Sequence, residues 1–545
     1  MPKPSLIAPK SLIDMSRRLH ARLPAATLPI LLVSVSSVMI ISQTTWQGVS
    51  HDLSSFLAPV AAITNGHLAL YDAYFNVAPP GIHLTLLPWV WLFGPGIWSM
   101  YVLHSLFVFS HQGALYLALR KWLTPVEATL VFVPTTIVAL TGHVFDEMLL
   151  TTELVGNTFV LSGFCVLPLR STEPKLRRWA FGISLLTFAV LVREVYLFAP
   201  IMAILAFSWI YRGKANRRSA TLKLVTWAAV LGAGPSFALL MALEGLGPYF
   251  RVLHLKRLLF PWPDYSTLAT SPLDVSWTFV TLWPALLLPA ATAVASVASI
   301  RRRQSPHMLV FSAAGVGLVG VAFAWQGKPA SGHYLASLLP AFAGLLAISL
   351  FQLRTTYTSR FRFASLLLLL TPVIVLSETA NDLKSLQSPS TWWASTLGAV
   401  GRETESQQRA NSAKCSQVIY GWNPGAYYIA SRTNPCSSYF LVNLIQDSPA
   451  HRAEYLLHLL ASPPDVVVYS TSGADINVKI FEQDVLPWSA VLATCYQEFG
   501  GSIYTQRLDQ GATGRCMLPF LKEPLHNNFA LGKLSFTEIL ASGEQ

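Results

Sequence analysis

Asp52, Asp72, Asp146, Glu147 and Glu153 stand at or near the ends of long apolar runs, on the side away from the basic clusters that separate those runs. Glu194, Glu244, Asp264 and Asp274 fall on the same side. Carboxylates are the side chains that take a proton from an attacking hydroxyl or stabilise positive charge as it develops, so this gathering of acids is where chemistry is expected. Few cations share that side. Arg193 sits beside Glu194 between two short apolar runs. A charge in hydrocarbon costs about 2.5–3.5 kcal/mol, so Arg193 needs a partner or a water-filled cavity. A local ion pair with Glu194 and no ligand is the plainer alternative. Arg251, His254, Lys256 and Arg257 precede the loop Pro261-Trp262-Pro263-Asp264, and Lys328 and His333-Tyr334 precede a later apolar run. An anion such as a phosphate would suit them, Arg through its planar fork and Lys as a point charge. Anionic headgroups or solvent would serve equally well.

The elements that must carry these residues are membrane helices. The chain has 545 residues, 52% hydrophobic and only 12% charged, with mean hydropathy +0.46. An ordinary soluble domain carries roughly 25% charged residues, so water is not the solvent for most of this one. Apolar runs long enough to span are expected at about 27–46, 97–119, 125–142, 154–169, 179–192, 195–211, 224–243, 277–300, 308–325, 334–353 and 363–377. The block 179–211 reads as one long helix or two around Arg193, and 80–93 as a span or a surface helix. Positive charge decides both, because Lys and Arg of short loops stay in the cytoplasm. With two helices at 179–211, a surface helix at 80–93 and the N-terminus inside, more than half of the 38 Lys and Arg fall on cytoplasmic segments, among them Arg120, Lys121, Arg177, Arg178, Arg217, Arg218 and Arg301 to Arg303. Either alternative throws every later basic cluster outside. The net charge of +11 is therefore a topology signal, and no basic patch with interleaved aromatics supports nucleic-acid binding. The basic stretch Lys3 to Arg22 and the run after it resemble a signal peptide without a small-residue cleavage site, which reads as a retained first helix.

From about Glu378 the composition becomes that of a soluble domain. Strands are expected at 417–420, 438–442, 465–469 and 502–507, with helical stretches such as 450–460, which gives a small α/β unit. Cys415, Cys436, Cys495 and Cys516 lie in it, outside the cytoplasm on this topology, where disulfides persist. Equal spacing favours Cys415 with Cys436 and Cys495 with Cys516 among three connectivities. Cys165, inside an apolar run, reads as a packing residue.

The most informative segment follows the first span: Gly48, His51 and Asp52, then Asn65-Gly66-His67, Leu70-Tyr71-Asp72, Pro79-Pro80-Gly81 and Leu92-Phe93-Gly94. In that order, with many further spans, it resembles the GT-C superfamily of membrane glycosyltransferases, in the branch of the protein mannosyltransferases, the lipid A aminoarabinose transferases and the Rgt-like enzymes. The resemblance implies a transferase that takes a sugar from a polyprenyl-phosphate donor and passes it to a lipid, glycan or protein acceptor at the outer face of the plasma membrane. It makes Asp52 the catalytic base beside the acceptor hydroxyl, with Asp146 and Glu153 as further catalytic residues in a second acidic cluster. His51, Asp72 and Glu147 join them as substrate-binding candidates. Arg193 corresponds to a basic residue that contacts the lipid phosphate, and Arg251, Lys256, Arg257, Lys328, His333 and Tyr334 would line the same donor. Some members hold a divalent metal, Mg or Mn, between two acids; no spacing here decides for or against one. The bland reading of Asp146, Glu147 and Glu153 is helix N-terminal carboxylates favoured by the macrodipole.

The expected fold is a polytopic α-helical membrane protein of about eleven transmembrane helices, GT-C-like, with a small C-terminal extracytoplasmic α/β domain. Residues 1–26 are a cytoplasmic tail, 27–377 the transmembrane domain with its first extracytoplasmic loop at 47–97, and 378–545 the soluble domain. Departures from the family pattern are Leu53 after Asp52, where protein mannosyltransferases have a second acid, and Ala78 before Pro79, where many relatives have Lys or His. Trp392-Trp393 is followed by Ala394, so the Trp-Trp-Asp signature of oligosaccharyltransferases is absent. No GxxxxGK[ST], GxGxxG after a strand, or HExxH occurs, which leaves a nucleotide-sugar donor without support. A transporter or flippase of a lipid-linked saccharide is the alternative; it would favour inverted repeats and helices broken at midplane, and no internal repeat is visible.

Overall fold

A computed structural model of the chain describes residues 27–47, 51–64, 80–94, 97–121, 123–140, 150–168, 175–211 and 216–242, and in the C-terminal part 416–419, 463–469, 486–500, 503–506 and 510–521, with a few single residues at 340–347 and 456–460. The expected spans after 243 lie outside the described residues, apart from those few.

The first seven expected spans are helices. They are α1 (Thr27–Gln47), α4 (Ile97–Arg120), α5 (Pro125–Leu140), α6 (Thr152–Val166), α7 (Leu176–Val192), α8 (Phe198–Ile210) and the run made of α9 (Arg217–Ala228), a π turn (Ala229–Ala233) and α10 (Gly234–Ala242). Between α1 and α4 lie α2 (His51–Thr64) and α3 (Pro80–Phe93). Two stretches, Ser99–Arg120 and Arg217–Ala242, are long and apolar enough by themselves to cross a membrane, judged by length and composition.

Local chemistry sets the boundaries. Pro125 opens α5 behind a reciprocal cap, in which Thr124 N–H donates to Glu127 Oε2 (2.8 Å) and Glu127 N–H donates to Thr124 Oγ1 (3.4 Å). Thr151 caps α6 by accepting from Leu154 N–H (3.3 Å). At its other end Lys121 Nζ donates to the carbonyls of Phe164 and Leu167, both at 2.8 Å, in the last turn, where a cation is favoured. Pro80 stands at the first position of α3, and Gly94, with φ +74°, ends it by donating to Val90 O (2.8 Å). Ser99 Oγ then donates to Gly94 O and Trp89 Nε1 to Ser99 O, fixing the turn into α4. α3 is thus a separate helix and not the start of a longer span.

The interior of the bundle is mostly apolar, with Leu57, Leu86, Leu154, Ile183, Leu186 and Phe207 buried, and a set of polar side chains lies among them while many apolar ones face outward. Ser37, His104, His111, Gln112, Thr135, Thr136, Ser184 and Ser236 are buried, whereas Ile30, Val38, Leu106, Leu117, Leu222 and Met241 are exposed. The buried hydroxyls bond within the bundle: Thr135 to Val131 O, Ser184 to Ala180 O, Thr136 to Gln112 Oε1. Large apolar side chains on the outside, together with buried hydroxyls bonded inside, are compatible with a bundle whose surroundings are lipid. α6 and α7 run antiparallel and meet through Gly163 and Gly182; a Cβ on Gly163 would stand 2.9 Å from the Gly182 carbonyl oxygen. At the far end of α7 from Arg193, Trp179 is fully buried against Phe207 (5.3 Å, edge-on) and Tyr211 (6.5 Å), closing the α7–α8 hairpin.

The C-terminal part holds a four-stranded sheet in the order β1-β2-β4-β3. Strand β1 (Ser416–Ile419) is parallel to β2 (Val466–Tyr469), which pairs antiparallel with β4 (Ile503–Gln506), itself antiparallel to β3 (Tyr496–Gly500). Helix α11 (Trp488–Cys495) runs into β3, and α12 (Gln510–Met517) follows β4. β3 departs from the sequence expectation: its exposed, adjacent Gln497 and Glu498 hide the alternation that marks a strand, and among the described residues it pairs with β4 alone. The expected strand at 438–442 lies outside the described residues. Cys495 and Cys516 are disulfide-bonded, with Cα atoms 5.9 Å apart.

Candidate active site

Arg193 ends α7. Its extended backbone (φ −158°, ψ 129°) breaks the helix, and the chain continues through a 3-10 turn, Glu194–Leu197, into α8. Antiparallel packing brings this break to the first turn of α6, where the Arg193 guanidinium pairs with the carboxylate of Glu153. Thr152 joins them: its hydroxyl accepts from Arg193 Nη1 (3.3 Å) and donates to Glu153 Oε2 (2.9 Å). Glu153 is 1% exposed and Arg193 15%, so the acid is enclosed and the cation keeps an edge at the surface of the cluster.

A second layer holds the pair. Tyr196 O–H, in the 3-10 turn, lies 2.8 Å from Asn157 Oδ1 and 3.2 Å from the Glu153 carbonyl oxygen. Its ring occupies the space that a side chain at Gly156 would fill. Tyr196 and Asn157 are each 1% exposed. Neither was singled out from the sequence, although Asn157 follows Glu153 by one helical turn inside an apolar run, where a polar residue signals a partner.

The Pro-Pro-Gly step meets this cluster from the side. The first turn of α3 lies on the end of α7 so closely that a Cβ on Gly81 would stand 2.5 Å from the Leu191 carbonyl carbon and 2.6 Å from Val192 N. From the same turn, buried His83 donates Nδ1–H to the Phe56 carbonyl of α2 (3.1 Å), its ring edge-on to Phe56 at 6.2 Å. Burial pulls His83 down to about 4, against the raising effect of that hydrogen bond, so the ring is neutral. His51 and Asp52 are the first two residues of α2, one turn before Phe56. The loop expected at 47–97 therefore holds two helices, and Asp52 heads the first.

Glu153 and Arg193 are the sequence-picked residues that the structure joins. Asp72, Asp146, Glu147, Arg251, Lys256, Arg257, Lys328, His333, Tyr334, Cys415 and Cys436 lie outside the described residues. Among the described residues no three His, Cys, Asp or Glu side chains converge as metal ligands. What is assembled is a carboxylate-oriented guanidinium at a helix break, in contact through α3 with a helix that carries Asp52 in its first turn. Such a guanidinium can grip an anionic oxygen through its planar fork.

No protein-family model and no curated protein matches the chain. Solved structures do match. The crystal structure of ArnT from Cupriavidus metallidurans bound to undecaprenyl phosphate superposes with a TM-score of 0.53 at 14% identity, over 89% of this chain and 99% of that one. ArnT in its apo state gives 0.50 at 12% identity, over 88% of this chain and 98% of that one. The archaeal oligosaccharyltransferase AglB from Archaeoglobus fulgidus, in complex with an inhibitory peptide and a dolichol-phosphate, gives 0.47 at 11% identity, over 88% and 74%. At these identities the fold is what is shared. The superposition takes in almost the whole of ArnT, and the chain shares the fold of that membrane-bound lipid-phosphate-binding structure.

Proposed function

We propose that the chain is a membrane glycosyltransferase that moves a sugar from a polyprenyl-phosphate donor to a lipid, glycan or protein acceptor at the outer face of the plasma membrane. The observation that carries this reading is the buried Arg193–Glu153 pair at the α7 break, in a fold shared with an ArnT that was crystallised with undecaprenyl phosphate. The N-terminus is cytoplasmic and the C-terminal domain periplasmic or extracellular. Asp52 takes the proton of the acceptor hydroxyl as its oxygen bonds to the anomeric carbon; the bond from that carbon to the phosphate oxygen breaks, and polyprenyl phosphate leaves with the electron pair. The ionised carboxylates nearby favour the positive charge that develops on the sugar ring. Arg193 holds the phosphate, with Arg251, Lys256, Arg257, Lys328, His333 and Tyr334 as further contacts. His51, Asp72, Asp146 and Glu147 bind or orient substrate, and a divalent metal would belong between Asp146 or Glu147 and a second acid. Glu153, already engaged by Arg193 and enclosed, orients that cation instead of taking a proton.

The test is transfer by membranes given radiolabelled polyprenyl-phosphate sugars, with wild type set against Asp52→Asn. Loss of a positioned base costs about 10²–10⁴-fold, and that fall in rate is expected. A variant as fast as wild type removes Asp52 from the base position. A flippase would move the labelled lipid across the bilayer without forming a new glycosidic bond.

A further inference from the structure

Asp52 begins α2 and Arg193 ends α7, and one turn of a third helix touches both of their elements. Gly81 seats the first turn of α3 against the backbone of Leu191 and Val192, immediately before Arg193. His83, two residues on, reaches the other way and bonds the Phe56 carbonyl, one turn past Asp52. That carbonyl is next to the Ser55 carbonyl, which Pro59 leaves without its helical amide donor, so this turn of α2 is held less by its own backbone. Thr85 Oγ1 donates back to Gly81 O (2.8 Å), stiffening the turn from which His83 projects.

We propose that His83 is a positioning residue of the transfer site: by tying α2 to the Gly81 turn of α3, it sets where Asp52 stands relative to Arg193. The proposal rests on the function proposed above for Asp52 and Arg193, while its physical part, the tether, stands separately. Nothing in it requires His83 to touch substrate. The geometry also specifies which replacement can take over. An Asn side chain presents its amide N–H where the imidazole presents Nδ1–H, a Gln side chain carries its amide one methylene further, and Leu fills the space without a donor.

The experiment uses the full-length protein in membranes or nanodiscs and two readouts. Hydrogen exchange of the α2 amides should accelerate at least fivefold in His83→Leu and His83→Gln, stay near wild type in His83→Asn, and leave α6 and α7 unchanged. Transfer at saturating donor should follow the same order, with kcat about tenfold lower for Leu and Gln and the donor KM within twofold of wild type, because a misplaced base slows chemistry more than it weakens binding. Asn as impaired as Gln, or α2 exchange equal to wild type in all three variants, overturns the tether. Faster exchange with unchanged kcat overturns the positioning role. If wild type itself transfers no sugar, the proposed function fails while the exchange data still judge the tether. Should His83→Leu not fold, the comparison of Asn with Gln, equally polar, carries both tests.

Discussion

Arg193 and Glu153 form a buried ion pair between the residue that ends α7 and the first turn of α6. Removing one partner of such a pair strands the other charge in an enclosed site, which costs about 3–5 kcal/mol. Glu153→Gln should therefore lower the thermal midpoint in detergent markedly. Exchanging both members, Glu153→Gln with Arg193→Met, should recover much of the loss, because no isolated charge remains. Transfer should not recover in the double variant, since the guanidinium is gone. Equal midpoints for single and double variants would show that the pair is not coupled.

Gly81→Ala asks whether the seat of α3 on α7 matters. The added carbon would meet backbone atoms of Leu191 and Val192 at 2.5–2.6 Å, and backbone cannot swing aside as a side-chain tip can. Overpacking of this kind costs about 1–3 kcal/mol. The expected result is a lower midpoint together with reduced transfer. A variant that melts and transfers like wild type would mean that α3 stands off from α7 in the membrane.

Much of this architecture was legible because membrane helices advertise themselves by length and apolarity. The break at Arg193 was legible too: continuing the helix through 193 would have put every later basic cluster on the wrong side. The partner of Arg193 was not, because Glu194 is adjacent in sequence whereas Glu153 becomes adjacent only when α6 and α7 pack antiparallel. α2 was hidden by its shortness, by Ser54 and Ser55, and by Pro59, which argues against a helix interior. His83 itself looks unremarkable in sequence; its role comes from a contact 27 residues away. Among the C-terminal residues, β2 announced itself through Val466 to Val468, whereas β3 with Gln497 and Glu498 did not.

His83 also predicts a pH dependence of stability. Its ordinary value is 6.5 and burial holds it at about 4 in the fold, so between those values the unfolded chain binds more protons than the folded one. Stability from this group is complete above pH 6.5 and declines as the pH falls toward 4, by up to about 3 kcal/mol. His83→Asn, which cannot titrate, should flatten the profile in that window. Thermal midpoints of the two proteins measured from pH 7 to pH 4 decide it: parallel profiles would rule His83 out as their source.

Lys121 joins the end of α4 to the end of α6 by donating to the carbonyls of Phe164 and Leu167. Lys121→Met keeps the length of the side chain and removes the donor from both carbonyls, at the end of the bundle opposite Arg193. A hydrogen bond from a charged group contributes about 1.5–3 kcal/mol, so a loss of stability of that order, read as a lower midpoint, is expected, with Lys121→Arg intermediate. Transfer by surviving protein should be nearly unchanged, because the lesion is at the far end of α6 from Glu153. A large loss of kcat in Lys121→Met at full stability would contradict that separation.

The disulfide between Cys495 and Cys516 staples the start of β3, where α11 ends, to the last turn of α12, closing a loop of 21 residues that contains the β3–β4 hairpin. Cross-linking a loop of that length restricts the unfolded chain by about 3 kcal/mol. Protein alkylated without reduction should therefore leave peptides containing Cys495 and Cys516 linked, and Cys495→Ser with Cys516→Ser should make the hairpin region easier to cleave by protease. The bond also reports topology, since it forms and persists only where the compartment is oxidising. Free, alkylatable thiols at both positions in protein taken directly from cells would place this part of the chain in the reducing cytoplasm, and the acceptor face of the proposed enzyme would have to be reassigned with it.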